Sequence, residues 1–405
     1  MNTIAVYIGD LVIYWSSVVI VLGILAGFCL AYSLYTAHSG RGSTMLVMFA
    51  FALVLSVLLC RFLHFYSHQE QYDGLFSAMT NFSGGSFFLP GAVIGTILAA
   101  KIAGALGFTG SALQVLDATA PGLALSFALI RLSALFTTAC RGKITITAAS
   151  LQHLPLASAV TMASGAVEYR FATFFVTFIL LLIAMLILLI FYLRHHGDRM
   201  KRTCPPEGHV FRMFILLYGI IELVMDSTRN DSTFPYFSII QTLNRFASFV
   251  SLTQLFAAIS IIIVFVWYSK RSVRSTGIGA IHIVLWSLFT VSLAGVGISE
   301  YMVQRHGDMY RIFYGTMSAA ALLMAASVFI MYVTCRKEKA AEETYTFSRV
   351  PHETYGAGIE YGPESETGFE PDPEYEDGEA SGLAPESEPE YGAGPEYEAG
   401  YEDEY

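Results

Sequence analysis

A single arginine, Arg131, lies in the middle of an apolar run, residues 123–136, that reads LALSFALIRLSALF. A guanidinium group keeps its charge at any physiological pH, and placing it in hydrocarbon costs roughly 3 kcal/mol or more. We therefore expect Arg131 to face a polar cavity or an anionic partner. In a membrane, a lipid phosphate is the obvious anion, so the function of this chain depends largely on what Arg131 contacts.

Long apolar stretches dominate the chain, in which 54% of the residues are hydrophobic and 14% are charged. Several stretches reach the ~20 residues that span a bilayer. Because these runs are continuous rather than alternating, they predict helices and not barrel strands. We predict an all-α polytopic membrane protein with about nine transmembrane helices, at residues 11–35, 44–66, 87–107, 118–138, 171–193, 211–227, 247–268, 278–298 and 311–335.

The basic residues predict an orientation. Lysines and arginines concentrate in the connections 194–212 and 269–277 and directly after the last span. With nine spans these three regions fall on one side, which the positive-inside rule assigns to the cytoplasm. The N-terminus is then predicted outside. The first span is predicted to be a retained helix, since no cationic region precedes it.

The C-terminal tail, residues 340–405, carries 20 acidic residues and one basic residue, whereas the whole chain has a net charge of −10. It repeats Pro-Glu-Tyr and has few aliphatic residues. Such a segment cannot bury enough apolar surface to fold alone, so we predict a disordered cytoplasmic tail. A solvating role and a docking or tyrosine-phosphorylation role are both open.

The five cysteines are scattered, with no C-x-x-C pair, and predict neither a disulfide framework nor a metal site. We expect no cofactor and no nucleic-acid partner.

Four stretches are rich in charged or aromatic residues, and three of them also contain glycine. They are IGDLVIYW at 8–15, RFLHFY at 61–66, GGSFFLPGAVIG at 84–95, and YGIIELVMDSTRND at 218–231. The third is followed by DATAP at 117–121 and then by the Arg131 run, and the fourth leads to SFVSL at 248–252.

In this order the stretches resemble bacterial prolipoprotein diacylglyceryl transferase, over about residues 5–270. That family has seven spans and moves a diacylglyceryl group from phosphatidylglycerol to the thiol of a lipobox cysteine. The resemblance implies a transferase of lipoprotein biosynthesis in a bacterial plasma membrane, with phosphatidylglycerol or another anionic lipid and prolipoproteins as partners. It divides the chain into a transferase-like domain (1–270), two additional helices (271–339) and the tail (340–405).

Departures from the family pattern concern catalytic positions. Where the family has a catalytic histidine in the third span, this chain has Leu89, Pro90 and Gly91. Of the family's arginine signature only Arg131 remains. In the fourth stretch, Glu222 replaces an arginine and Asp226 replaces a glutamate.

The resemblance implies a site for the lipid phosphate at Arg61, Arg131 and Arg229, because each aligns with a family arginine and a guanidinium can bind phosphate bidentately. Our candidate base for the thiol is His64. His68, His153 and Glu222 are weaker candidates. We expect a supporting polar network of Asp117, Glu222 and Asp226. An internal pairing of the arginines with these acids is the alternative.

Three functions are compatible with these residues. The first is diacylglyceryl transfer by a divergent family member. The second is a non-catalytic protein that binds lipid or a partner on the same scaffold. The third is a solute transporter, which is disfavoured because the halves show no internal repeat.

Overall fold

The computed structural model describes residues 3–348 except 9–10, 39–40, 70–71, 81–87, 110, 162–164, 198–206, 231–249 and 307–308. Within these residues lie α1 (Trp15–His38), α2 (Gly42–Ser67), α3 (Leu75–Thr80), α4 (Pro90–Ala105), α5 (Ala112–Leu132), α6 (Ala149–Gln152), α7 (Thr173–Gly197), α8 (His209–Ser227), α9 (Leu252–Thr276), α10 (Ala280–Arg305) and α11 (Tyr310–Ser348). Two antiparallel hairpins join β1 (Ile4–Ile8) to β2 (Leu11–Tyr14) and β3 (Ala157–Thr161) to β4 (Val167–Phe171).

A helix occupies each of the nine predicted spans, which confirms an all-α, multi-pass membrane protein. Seven helices in the described part of the chain are long and apolar enough to cross a membrane. The other two are α4, which has only 16 residues, and α8, which carries Arg212, Glu222 and Asp226. A 16-residue helix is about 24 Å long, somewhat shorter than the hydrocarbon core.

Alternate helices run in opposite directions. Contacts join the first turns of α7, α9 and α11 to the end of α8, through the pairs Thr173–Thr228, Ser251–Asp226 and Tyr314–Ser227. Trp15, which begins α1, stacks on Phe136, the last residue of a short 3₁₀ helix (Ser133–Phe136) that directly follows α5. We call this end of the bundle the arginine end, because Arg131 and Arg229 lie there.

Glycines bring two helix pairs into close contact. A Cβ atom at Gly91 or Gly95 of α4 would lie 2.6 Å from backbone nitrogens of α2. A Cβ atom at Gly27 of α1 would lie 2.3 Å from the carbonyl oxygen of Gly122 on α5. Without a driving force from water, such small residues let helix backbones pack by van der Waals contact. They therefore fix α2 against α4 and α1 against α5.

Asp117 ties α5 to α8 at the end of the bundle opposite the arginine end. Its carboxylate accepts hydrogen bonds from the backbone N–H groups of Gly208 (2.6 Å) and Phe211 (2.9 Å) at the start of α8. The first N–H groups of a helix have no partner within the helix, and a negative charge there also interacts favourably with the helix dipole. The buried Asp117 thus caps α8 from a neighbouring helix.

A small cap made from the chain between α5 and α7 covers the arginine end. Its backbone pairs with the residues after α8, since Lys143 N–H donates to Thr228 O and Asn230 N–H donates to Arg141 O, both at 2.8 Å. The hairpin β3–β4 completes it, with Phe171 N–H donating to Ile144 O. The cap therefore holds the segment that carries Arg229.

Helix α11 continues to Ser348, past the boundary at residue 339 that the sequence predicted for the tail. The rest of the acidic tail lies outside the described residues, as do Gly9, Gly84, Gly85 and the segment 231–249. The division into a transferase-like domain, two further helices and a tail stays a prediction.

We predict that Gly95→Ala lowers the free energy of unfolding by about 1–3 kcal/mol, because the new methyl group overlaps the backbone of Ser56 on α2. The measurement is thermal unfolding of the detergent-solubilised protein, followed by intrinsic fluorescence. Gly297→Ala on α10 is the matched control, since a Cβ atom there meets nothing within 4 Å. Equal melting temperatures for the two variants would contradict the proposed close contact of α2 and α4.

Candidate functional site

Arg131 forms a buried ion pair with Glu222, in which one guanidinium nitrogen contacts both carboxylate oxygens. Its Nη2 atom lies 2.7 Å from Oε1 and 2.6 Å from Oε2 of that carboxylate. Arg131 is 9% exposed and Glu222 is 1% exposed. Because each charge is compensated by the other and by hydrogen bonds, the guanidinium is tolerated inside the bundle. The ion pair joins the last turn of α5 to α8.

Two further features surround the guanidinium of Arg131. Its Nη1 atom donates to Sγ of Cys140, at 3.2 Å, in the cap. Cys140 has a φ of 54°, in the left-handed region that non-glycine residues rarely adopt. The buried Nε atom of Arg131 has no hydrogen-bond partner among the described residues. It is a donor that a bound anion could use.

Arg229, two residues after the end of α8, forms the second buried ion pair. Its Nη1 atom lies 2.8 Å from Oδ1 of Asp226, and the hydroxyl of Ser251 donates to Oδ2 of the same carboxylate. Asp226 is 1% exposed. Ser251 also caps α9 by accepting a hydrogen bond from Gln254 N–H. This pair therefore links α8 to α9.

His64 and Arg61 belong to a separate cluster at the end of α2. Arg61 Nε donates to the carbonyl oxygen of Ala78 on α3 at 3.1 Å, and its guanidinium lies 5.7 Å from the ring centre of Tyr72. His64 Nδ1 lies 3.3 Å from the Tyr72 hydroxyl, and its ring stacks on His68. The buried Nε2 atom of His64 has no hydrogen-bond partner in the described part of the chain.

An apolar cavity of about 200 Å³ runs between α1, α2, α4 and α5. Its walls are mainly aliphatic and aromatic, from residues such as Ile24, Phe28, Phe49, Leu123 and Phe127. The hydroxyls of Ser56 and Thr96, which also line it, donate to the carbonyl oxygen of Ala92. Because these polar groups are satisfied within the helices, the cavity suits a hydrocarbon chain.

The cavity ends at the arginine end. The lining residues nearest that end are Ile20, Cys60, Leu89 and Ile130. Cys60 directly precedes Arg61 in α2, and Ile130 directly precedes Arg131 in α5. His64 lies one helical turn beyond Cys60. The apolar cavity therefore ends close to both clusters of buried cations, whose charged groups do not themselves line it.

The predicted site residues fall into three places. Two neighbouring ion pairs join Arg131 to Glu222 and Arg229 to Asp226. This is the alternative in which the arginines pair with acidic residues of the protein. Arg61 and His64 share the second cluster. The sequence predicted that Asp117 joins Glu222 and Asp226 in one polar network, but the structure places it elsewhere. Asp117 lies 14 residues before Arg131, about 21 Å away along α5, and caps α8.

Several polar residues of the arginine end were not predicted to contribute. They are Cys140 in the cap, Tyr72 beside His64, and Ser251, Gln254 and Glu300 beside Asp226. Ser251 and Gln254 form a capping box, whose S-x-x-Q pattern before an apolar run was visible in the sequence. Glu300 is the one acidic residue of α10, which is also a recognisable signal in the sequence.

Comparison with known proteins identifies the scaffold. A sequence model of the family described as prolipoprotein diacylglyceryl transferase matches residues 3–268, about two thirds of the chain. A search of curated proteins finds no match. The matched region contains the cavity, both ion pairs and the His64 cluster, whereas α10 and α11 follow it. The chain therefore belongs to the prolipoprotein diacylglyceryl transferase family.

Proposed function

We propose that this protein transfers the diacylglyceryl group of phosphatidylglycerol to the thiol of a lipobox cysteine. The observation that carries the proposal is the end of the apolar cavity, where Cys60 and Ile130 each directly precede a buried arginine. This position would keep the acyl chains in hydrocarbon-like surroundings and bring the phosphate to the arginine end. Membership of a transferase family supports the reaction type.

The phosphate would be bound mainly through oriented donors. Arg131 is electrically balanced by Glu222, and Arg229 is balanced by Asp226. The unused Nε–H of Arg131 nevertheless offers a charge-assisted hydrogen bond to a phosphate oxygen. Such a fixed donor is also suited to stabilise the negative charge that grows on the leaving glycerol phosphate.

His64 is the proposed general base. With Nδ1–H donating to the Tyr72 hydroxyl, the buried Nε2 atom presents a lone pair that can accept the thiol proton. The thiolate then attacks the carbon of the diacylglyceryl group that bears the phosphate, forming the C–S bond. The C–O bond breaks, and its electron pair leaves with glycerol phosphate. His64 holds the proton until it is passed to the phosphate or to water.

We propose that the arginine end faces the outside of a bacterial plasma membrane. The basic connections 194–212 and 269–277 then lie in the cytoplasm, as the positive-inside rule requires. With nine alternating helices, the N-terminus is outside and the acidic tail is inside. Phosphatidylglycerol of the outer leaflet and membrane-bound prolipoproteins would both reach the arginine end.

A second candidate function is non-catalytic binding of an anionic lipid on the same scaffold. The observation that favours it is the contact of both Glu222 oxygens with Arg131 Nη2, which leaves that nitrogen unavailable to a phosphate. The absence of a histidine at residues 89–91, where the family has its catalytic one, favours it as well.

We predict that His64→Gln slows diacylglyceryl transfer by roughly 10²–10⁴-fold, because general-base catalysis is lost while the size of the side chain is nearly kept. The measurement is the mass of a lipoprotein precursor in cells depleted of their own transferase. The matched control is His153→Gln, which alters an exposed histidine of the cap. A diacylglyceryl adduct formed as fast by His64→Gln as by wild type would contradict the role of His64. No adduct with membrane-inserted wild type would support the second candidate.

We predict that Arg131→Met alone destabilises the protein by about 3–5 kcal/mol, because it leaves the Glu222 carboxylate buried and unpaired. The double variant Arg131→Met/Glu222→Met is expected to regain most of that stability, as measured by thermal unfolding in detergent. It is also expected to bind phosphatidylglycerol more weakly than wild type, because the Nε–H donor is gone. Unchanged binding by the folded double variant would show that Arg131 does not contact the lipid.

A further inference from the structure

We propose that α10 and α11, which follow the region matched to the family, form part of the functional site, and that Glu300 of α10 is a positioning residue for Arg229. Glu300 acts through three intermediate residues, Gln254, Ser251 and Asp226, which we call the relay. The relay itself is independent of the transferase proposal. Only its effect on lipid binding rests on that proposal.

The relay is a continuous series of hydrogen bonds. Gln254 Nε2 donates to Glu300 Oε2 at 3.1 Å, and Ser251 N–H donates to Gln254 Oε1 at 2.9 Å. The Ser251 hydroxyl donates to Asp226 Oδ2, and Arg229 Nη1 donates to Asp226 Oδ1 at 2.8 Å. Each residue of the relay forms one hydrogen bond on the side of α10 and another on the side of Arg229. A change at Glu300 therefore has a direct route to the guanidinium.

The relay and the two residues that it connects, Glu300 and Arg229, are buried, so the loss of one hydrogen bond affects its neighbours strongly. Glu300 and Gln254 are each 3% exposed, Ser251 is 0% exposed, and Arg229 is 7% exposed. In surroundings of low dielectric constant, hydrogen bonds polarise one another, and an unpaired member is costly. Water cannot easily replace a lost partner at these positions.

Glu300 fixes the orientation of the Gln254 amide. An ionised carboxylate can only accept hydrogen bonds, so it selects the NH₂ group of Gln254 rather than the carbonyl oxygen. The same NH₂ group donates to Leu223 O at 3.2 Å, which leaves Oε1 directed at Ser251 N–H. The second oxygen of Glu300 accepts from Gln304 Nε2 at 2.9 Å. A glutamine at position 300 could present its own NH₂ group and lose this selection.

Two further contacts place α10 and α11 at the arginine end. Lys143 of the cap interacts electrostatically with both Glu300 and Asp226. Burial lowers the pKa of Lys143, whereas these two carboxylates act to raise it. The Tyr314 hydroxyl of α11 donates to Ser227 O at 3.0 Å, two residues before Arg229. The Tyr314 hydrogen bond thus ties α11 to the segment that carries Arg229.

The first test measures, in the absence of lipid, whether a change at Glu300 alters the surroundings of the Arg229 side chain. Full-length protein is labelled with ¹⁵N-arginine in detergent micelles, and the Arg229 side-chain Nε–H resonance is assigned by its loss in Arg229→Lys. We expect Glu300→Gln to shift this resonance. Asp226→Asn is the positive control, because it removes the direct partner of Arg229. Ser299→Ala is the matched negative control, because it removes only the adjacent bond from α10 to Thr316 on α11.

A resonance of Arg229 that moves in Asp226→Asn but stays in place in folded Glu300→Gln would overturn the relay. Equal shifts in Glu300→Gln and Ser299→Ala would overturn it as well, because the effect would then be general to helix packing. Glu300→Asp provides a second variant that keeps the charge and shortens the reach, and we expect an intermediate shift.

The second test adds vesicles of phosphatidylglycerol, with phosphatidylcholine vesicles as the reference. If the site binds the anionic headgroup, we expect Glu300→Gln to weaken binding several-fold and Ser299→Ala to leave it unchanged. The effects of Glu300→Gln and Arg229→Lys should be non-additive. Equal binding of both vesicle types by wild type would contradict the proposed function but not the relay, which the resonance shift tests separately.

Discussion

The buried ion pair between Arg131 and Glu222 is the interaction on which the arginine end depends. It sets the register of α5 against α8, and through Cys140 it also contacts the cap. Neither charge is tolerable there without the other, because removing one partner leaves an uncompensated charge inside the bundle. The neighbouring pair of Arg229 and Asp226 extends the same arrangement to α9. The protein therefore holds two buried cations at the arginine end while keeping them electrically balanced.

This balance distinguishes the chain from the family pattern it resembles. Glu222 stands where that pattern has an arginine, so a position expected to add a cation instead neutralises one. The cavity between α1, α2, α4 and α5 is apolar and ends at the arginine end, which is the arrangement that the proposed lipid site requires. In the proposed lipid complex, recognition of the phosphate would rest on oriented N–H donors rather than on net positive charge.

The sequence predicted the helices well, because continuous apolar runs of membrane length have few alternative structures. It also predicted that Arg131 would need an anionic or polar neighbour. It could not select Glu222 over Asp117 or Asp226 as that neighbour, because the choice depends on how α5 packs against α8. Asp117 illustrates the difficulty: the same carboxylate that could neutralise an arginine instead caps a helix at the opposite end. The contribution of Glu300 depends on contacts between helices and has no local pattern beyond a lone buried acid.

The central claim is that the cavity between α1, α2, α4 and α5 holds the acyl chains of a lipid whose phosphate lies at the arginine end. Photo-crosslinking with phosphatidylglycerol that carries a diazirine at the terminal part of one acyl chain tests this most directly. Peptide mapping should then place the adducts on cavity residues far from the arginine end, such as Ala31, Met45 and Met48. Adducts only on exposed outer faces, such as Leu46 and Val54, or adducts equally abundant with phosphatidylcholine, would contradict the account.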